Sequence, residues 1–181
     1  MKHLVVGIDP GKKGALVALH AETGQIVGAF DTPTEERNYD EMGMVKILED
    51  AKPRIQLAVL ERPVLVPLKI IGGKVPSWNS PRSIAAQWEG YALWRGILLG
   101  LKIPFVEVTP KQWQKDPFST LGKEGKKRSY IYASRRWPDG PWRGSQGGIR
   151  EDRCDAALIA LYKIENKQLG EPDDSVLDPL T

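Results

Sequence analysis

Three apolar runs fall within the first 31 residues: Leu4–Asp9, Gly14–His20 and Gln25–Asp31. The gaps between them carry the turn signals Asp9-Pro10-Gly11 and Thr23-Gly24. Neither gap has room for a crossover helix, so consecutive strands here must run antiparallel. The chain therefore opens as a three-strand meander, and every later strand has to join an edge of that sheet.

The remaining segments alternate in type. Asn38–Asp50 reads as a helix, with Met42, Val45 and Leu48 near helical spacing, and Pro53 stops it. Gln56–Glu61 is a fourth strand. Residues 62–82 contain Pro63, Pro67, Pro76, Pro81, Gly72 and Gly73 and read as a long connection, a type of segment that is often functional. Ser83–Leu101 is a helix, and Pro104–Val108 is a fifth strand. Thr109-Pro110-Lys111-Gln112-Trp113 begins a helix with an N-cap threonine and proline at the first helical position. Lys123–Trp137 reads as a basic helix, residues 138–149 as loop and Arg150–Lys167 as a final helix. The expected fold is α/β: a mixed five-stranded sheet, the meander plus two parallel strands, with helices on both faces. Residues 1–169 are expected to form one domain, and the acidic stretch 170–181 a disordered tail.

Composition removes several classes. One cysteine, Cys154, excludes an intramolecular disulfide, and two histidines, His3 and His20, make a structural zinc site an unsuitable reading. No apolar run reaches the roughly 18 residues of a membrane span, and the run after His3 is too short for a signal peptide. A soluble, cytoplasmic protein with no membrane partner is expected. The net charge of +3 hides an uneven distribution. Residues 101–150 carry 11 basic and 4 acidic side chains, whereas residues 170–181 carry 4 acidic and no basic ones. A basic middle of this kind suits either a solvated surface or a polyanionic partner.

Four carboxylates stand where chemistry is expected. Asp9 ends the first strand and Glu61 ends the fourth. If these strands are parallel neighbours, both acids leave the same edge of the sheet, where sites form in α/β folds. Asp152 and Asp155 share one helix face at spacing i, i+3. Singly, each has a plainer reading: Asp9 as a turn residue, Glu61 as a strand end, and the two aspartates as partners of the helix dipole. Asp31, which also ends a strand, is given only the plain reading. Jointly, four acids converging from three elements repel one another, and divalent cations with a preference for hard oxygen ligands remove that repulsion.

The segments Gly7-Ile8-Asp9-Pro10-Gly11-Lys12-Lys13-Gly14, Val59-Leu60-Glu61 and Asp152-Arg153-Cys154-Asp155-Ala156 together resemble the acidic motifs of RuvC-type Holliday-junction resolvases, phage and bacterial members of the RNase H-like nuclease superfamily. The likeness runs over about residues 4–165. It implies an RNase H-like fold in which Asp9, Glu61, Asp152 and Asp155 hold two Mg²⁺ ions, replaceable by Mn²⁺. One ion would activate water for in-line attack and the other would stabilise the departing 3′-oxygen. It also implies a homodimer acting on four-way or otherwise branched DNA. The chain departs from the family after Glu61. Some relatives carry an aromatic wedge there, but here the place holds Pro63-Val64-Leu65, which leaves Leu65, Leu68, Ile70 and Trp78 as candidate wedges or as packing residues.

Arg62, Arg82, Lys111, Lys115, Lys123, Lys126, Lys127 and Arg128 are the candidate nucleic-acid contacts, and Arg135, Arg136, Arg143 and Arg150 extend the basic stretch. Lys126 or Lys127 matches the place of a lysine that contacts the scissile region in relatives. Trp113, Trp137 and Trp142 read either as base-stacking platforms or as core, and Trp88 and Trp94 as buried or at a dimer face. Two alternatives stay open: a non-catalytic branched-DNA-binding protein, and another RNase H-like nuclease acting on forks, flaps or RNA–DNA hybrids. The glycine-rich turn after Asp9 also suits an actin-like ATPase. That class needs two such domains around its nucleotide, more than 181 residues supply, so no nucleotide cofactor is expected.

Overall fold

Strand β1 (Leu4–Asp9) pairs antiparallel with β2 (Ala15–His20), and β2 pairs antiparallel with β3 (Ile26–Asp31). This is the meander expected from the short connections. The computed structural model describes residues 2–36, 38–64, 80–119 and 127–166. The candidate wedges Leu65, Leu68, Ile70 and Trp78, the lysines Lys123 and Lys126, and residues 170–181 lie outside them.

After β3 comes a two-residue hairpin, β4 (Thr34–Glu35) with β5 (Asn38–Tyr39), and then helix α1 (Glu41–Ala51). The helix expected from Asn38 therefore starts three residues later. Asp40 is its cap, accepting a hydrogen bond from Gly43 N–H at 2.9 Å, and this ends the extended segment before it. Tyr39 is buried, with its hydroxyl donating toward Pro10 O and Ala86 O, both at 3.3 Å. That role needs an extended backbone rather than a helical one.

Strand β6 (Ile55–Glu61) lies parallel to β1, and β7 (Phe105–Val108) lies parallel to β6. The sheet order is β3-β2-β1-β6-β7. Between β6 and β7 runs α2 (Pro81–Gly100), capped by Ser80, whose Oγ accepts from Ser83 N–H. Helices α3 (Pro110–Ser119), α4 (Arg128–Arg136) and α5 (Glu151–Glu165) follow. Among the described residues no helix is long and apolar enough to cross a membrane.

Two cores sandwich the sheet. Val6, Ile8, Leu16, Ala58 and Leu60 face α1 and α2, where they bury Met44, Leu48, Trp94 and Leu98. Val5, Val17, Leu19 and Val59 face the opposite way, against Trp113, Ala133, Trp137 and the apolar length of α5 from Ala156 to Leu161. The two sets alternate along each strand, as a sheet buried on both faces requires.

Helix α5 lies unusually close to β1. A Cβ at Gly7 would overlap the Ala156 carbonyl oxygen and stand 2.7 Å from Ala160 N. The strand has no side chain at the crossing and the helix has only alanines, so backbone meets backbone. Gly7→Ala should therefore cost on the order of 3 kcal/mol by overpacking. Thermal unfolding should show this as a fall in Tm of about 6–12 °C. An unchanged Tm would mean that α5 does not lie on β1 at this distance.

Candidate active site

The same alternation decides where the strand-end acids go. Asp9 shares the parity of Val5 and Gly7, and Glu61 that of Leu57 and Val59, so both carboxylates leave the sheet on the α5 side. The ladder pairs Ile8 with Leu60, which sets Asp9 and Glu61 beside each other at the same sheet edge. Helix α5 begins at that edge, and its first two turns bring Asp152 and Asp155 over them. Each of the four keeps part of its surface in solvent.

Their electrostatics record the crowding. Desolvation, followed by the charges of Glu61, Asp155 and Asp152, holds Asp9 well above the usual carboxylate range, although a backbone hydrogen bond at Gly11 opposes this. Burial pushes Glu61 up to about 7, against a hydrogen bond from the Trp113 indole that favours the ionised form. Burial likewise pushes Asp155 to about 7, against a hydrogen bond from Ser129 and with Asp152 and Glu151 adding repulsion. Asp152 is raised chiefly by desolvation, while Arg150 and Lys13 pull the other way. Asp155 Oδ1 is buried with no hydrogen-bond partner among the described residues.

The donor set suits a divalent cation. It consists of hard oxygens, mutually repelling, one of them orphaned. Among the described residues no three His, Cys, Asp or Glu side chains already stand as a closed cage for one ion. Mg²⁺ does not require such a cage, because it is commonly held by one or two carboxylates, with water and substrate phosphate completing its shell.

Several residues near the acids were missed or misjudged from sequence. Trp113, 1% exposed, donates its indole N–H to Glu61 Oε2 at 2.6 Å. Trp137 and Trp142 are also buried, and their N–H groups bond to Gly24 O and Trp137 O. The stacking role considered for these three tryptophans is thus overturned: their rings fill the core. Trp94 is buried as well. Ser129, on α4, was not anticipated at all, since an isolated serine carries no spacing signal.

Asp31 does more than end a strand. Arg153 donates to it through Nε (2.7 Å to Oδ1) and Nη2 (3.0 Å to Oδ2), and Arg150 donates through Nη2. Desolvation opposes the ionised form, but the paired guanidinium hydrogen bonds hold Asp31 below the usual range. Arg153 also donates to Pro141 O at 3.1 Å, tying the loop before α5 into the same clamp. Arg150, expected to extend the phosphate track, is committed to this pair. The i, i+3 spacing of Arg150 and Arg153 was the available signal. Cys154 is packed inside, as expected, with its thiol pushed up to about 12 by burial.

The candidate nucleic-acid contacts within the described residues lie on β6, α2, α3 and α4 or next to them. Arg62 follows Glu61 directly and is exposed. Lys111 and Lys115 are exposed one turn apart on α3, which leaves β7 beside Glu61. Lys127 and Arg128 begin α4, the helix of Ser129, and Arg82 is exposed in the first turn of α2. Helix α3 starts at Pro110 as read, and the Gln112 side chain ties back to Thr109: its Oε1 accepts from Thr109 N–H at 2.7 Å and from Thr109 Oγ1 at 2.8 Å.

Comparison with solved structures places this architecture. The chain matches Thermus thermophilus RuvC, solved in complex with a Holliday junction substrate, with a TM-score of 0.62 over 92% of this chain and 96% of that one at 11% identity. The architecture is the RuvC fold. A second T. thermophilus RuvC structure matches at TM-score 0.59 and 12% identity, covering 91% of this chain and 96% of that one. The yeast mitochondrial Holliday junction resolvase Ydc2 matches at 0.53 and 15%, covering 91% and 79%. No protein-family model and no curated protein matches the sequence. The expected RNase H-like mixed sheet is thus present over nearly the whole chain, at identities that fix the RuvC fold alone.

The raised carboxyls make a pH prediction. Unfolded, Glu61 and Asp155 titrate at about 4; folded, each titrates at about 7. Between those values the folded state binds more protons, so metal-free stability falls as pH rises through the interval. Asp31 works oppositely, and its contribution is lost only as pH falls below about 4. In EDTA, Tm should be lower at pH 8 than at pH 5.5. Asp155→Asn should recover on the order of 1–3 kcal/mol at pH 8, seen as a higher Tm. A wild-type Tm that rises over this interval would contradict the crowding.

Proposed function

We propose that this chain is a Mg²⁺-dependent, structure-selective endonuclease that resolves Holliday junctions as a homodimer, in DNA recombination and repair. The observation that carries the reading is the convergence of Asp9, Glu61, Asp152 and Asp155 at one sheet edge, desolvated and mutually repelling, with Arg150 and Lys13 offsetting the charge at Asp152. A site that only bound DNA would gain nothing from four acids facing the phosphates.

In this reading the four carboxylates hold two Mg²⁺ ions, with Mn²⁺ as a substitute. Bound there, the ions supply Lewis acidity toward the phosphodiester and lower the pKa of coordinated water. The protein orients and insulates. Trp113 and Ser129 hold Glu61 and Asp155 in place, the Asp31 clamp holds the start of α5, and Arg62, Arg82, Lys111, Lys115, Lys127 and Arg128 receive the backbone phosphates. Branched DNA as substrate is supported by the fold shared with a RuvC solved on a Holliday junction. No nucleotide cofactor is needed, and the site of action is the cytoplasm of a bacterial cell or phage-infected host.

The test is cleavage of a labelled four-way junction in Mg²⁺, beside fork, flap, duplex and RNA–DNA hybrid substrates. The wild type should cut the junction preferentially and lose activity in EDTA. Asp9→Asn should bind the junction as well as the wild type and cleave it at least about 100-fold more slowly. Wild-type cleavage by Asp9→Asn would sink the assignment, and preferential hybrid cleavage would move the chain to a different nuclease class.

A further inference from the structure

The buried tryptophans use their N–H groups in different ways. Trp94 is wholly buried, and among the described residues its Nε1 has no hydrogen-bond partner. Trp137 and Trp142 donate to backbone carbonyls. Trp113 donates to a carboxylate, at the short distance of 2.6 Å, across 52 residues of sequence. The distance lies at the short edge of N–H···O hydrogen bonds.

The two partners sit on one frame. Glu61 pairs with Val108 across the β6–β7 ladder, and Arg62 N–H donates to Val108 O at 2.8 Å. Thr109 follows at once and is tied to Gln112 by two hydrogen bonds to Gln112 Oε1, which set the first turn of α3 and the direction of Trp113. Trp113 is therefore fixed relative to Glu61 by strand pairing and the Thr109–Gln112 hydrogen bonds, independently of their own hydrogen bond.

The chemistry of the indole suits a particular task. Indole Nε1–H is only a donor, so it can hold a carboxylate oxygen but cannot compete for a cation. We propose that Trp113 is a positioning residue for Glu61, committing Oε2 to the indole so that the carboxylate is presented to the divalent cation in a single orientation. The inference rests on the reading of Glu61 as a metal ligand. Outer-shell partners that orient ligands commonly influence metal affinity by 10- to 100-fold.

The experiment measures Mn²⁺ binding by calorimetry on the full chain without DNA, for the wild type, Trp113→Phe and Trp137→Phe. Trp113→Phe should weaken Mn²⁺ binding by about 10–100-fold. Trp137→Phe, which removes a buried indole bonded only to backbone, should lower Tm and leave the Mn²⁺ affinity unchanged. In parallel, the assigned Trp113 indole N–H resonance of the wild type should move on Mg²⁺ titration and in Glu61→Gln. A folded Trp113→Phe with wild-type Mn²⁺ affinity overturns the proposal. Should that variant not fold, a wild-type indole resonance indifferent to Mg²⁺ overturns it. Wild-type protein that binds no Mn²⁺ at all would instead overturn the metal-site reading beneath it.

Discussion

The contact between Gly7 and the alanines of α5 governs the rest of the molecule. A helix normally stands off a sheet by the thickness of two side-chain layers. Here the strand offers no side chain and the helix offers Ala156 and Ala160, so the two backbones nearly touch. Two residues beyond Gly7 on the strand is Asp9, and one residue before Ala156 on the helix is Asp155. The close approach that packs the core therefore also forces the acids together. Fold and site are not separable at this point, because the packing that buries Val5 and Leu158 sets the spacing of the carboxylates.

That arrangement is costly, and the structure contains counterweights. Folded domains are stable by only about 5–15 kcal/mol, so carboxyls held near 7 remove a meaningful share at neutral pH. Against this stand two apolar clusters, one on each face of the sheet. Polar groups also fix the acids from behind: the Trp113 indole on Glu61, Ser129 on Asp155, and the double guanidinium clamp to Asp31 from Arg150 and Arg153, which flank Asp152 in the chain. A divalent cation bound among them would remove the remaining repulsion. The protein thus stores electrostatic strain in the free state that ligand binding relieves, which is the expected signature of a site built to take up positive charge.

Much of this was legible in the chain because it rests on local rules. Short turns forced the meander, the i, i+3 aspartates shared a face, and Thr109-Pro110 spelled a helix start. Asp9 and Glu61 were visible because strand ends bounded by Pro-Gly and Arg-Pro are easy to place. What escaped depended on long-range geometry. The 2.6 Å bond from Trp113 to Glu61 spans 52 residues and has no spacing signature. Asn38–Tyr39 was read as helix because propensity is blind to a two-residue ladder, whereas the buried Tyr39 hydroxyl needs the extended form to reach Pro10 and Ala86. Asp31 was set aside because its guanidinium partners lie 119 and 122 residues further along.

The proposed function requires that Asp9, Glu61, Asp152 and Asp155 form a divalent-cation site. Anomalous diffraction from crystals soaked in Mn²⁺ tests it most directly. The prediction is an anomalous peak at the sheet edge, ligated by Asp9 together with carboxylate oxygens of at least one of the other three. Crystals saturated with Mn²⁺ that show no peak there, with the acids instead protonated or paired to basic side chains, would contradict it.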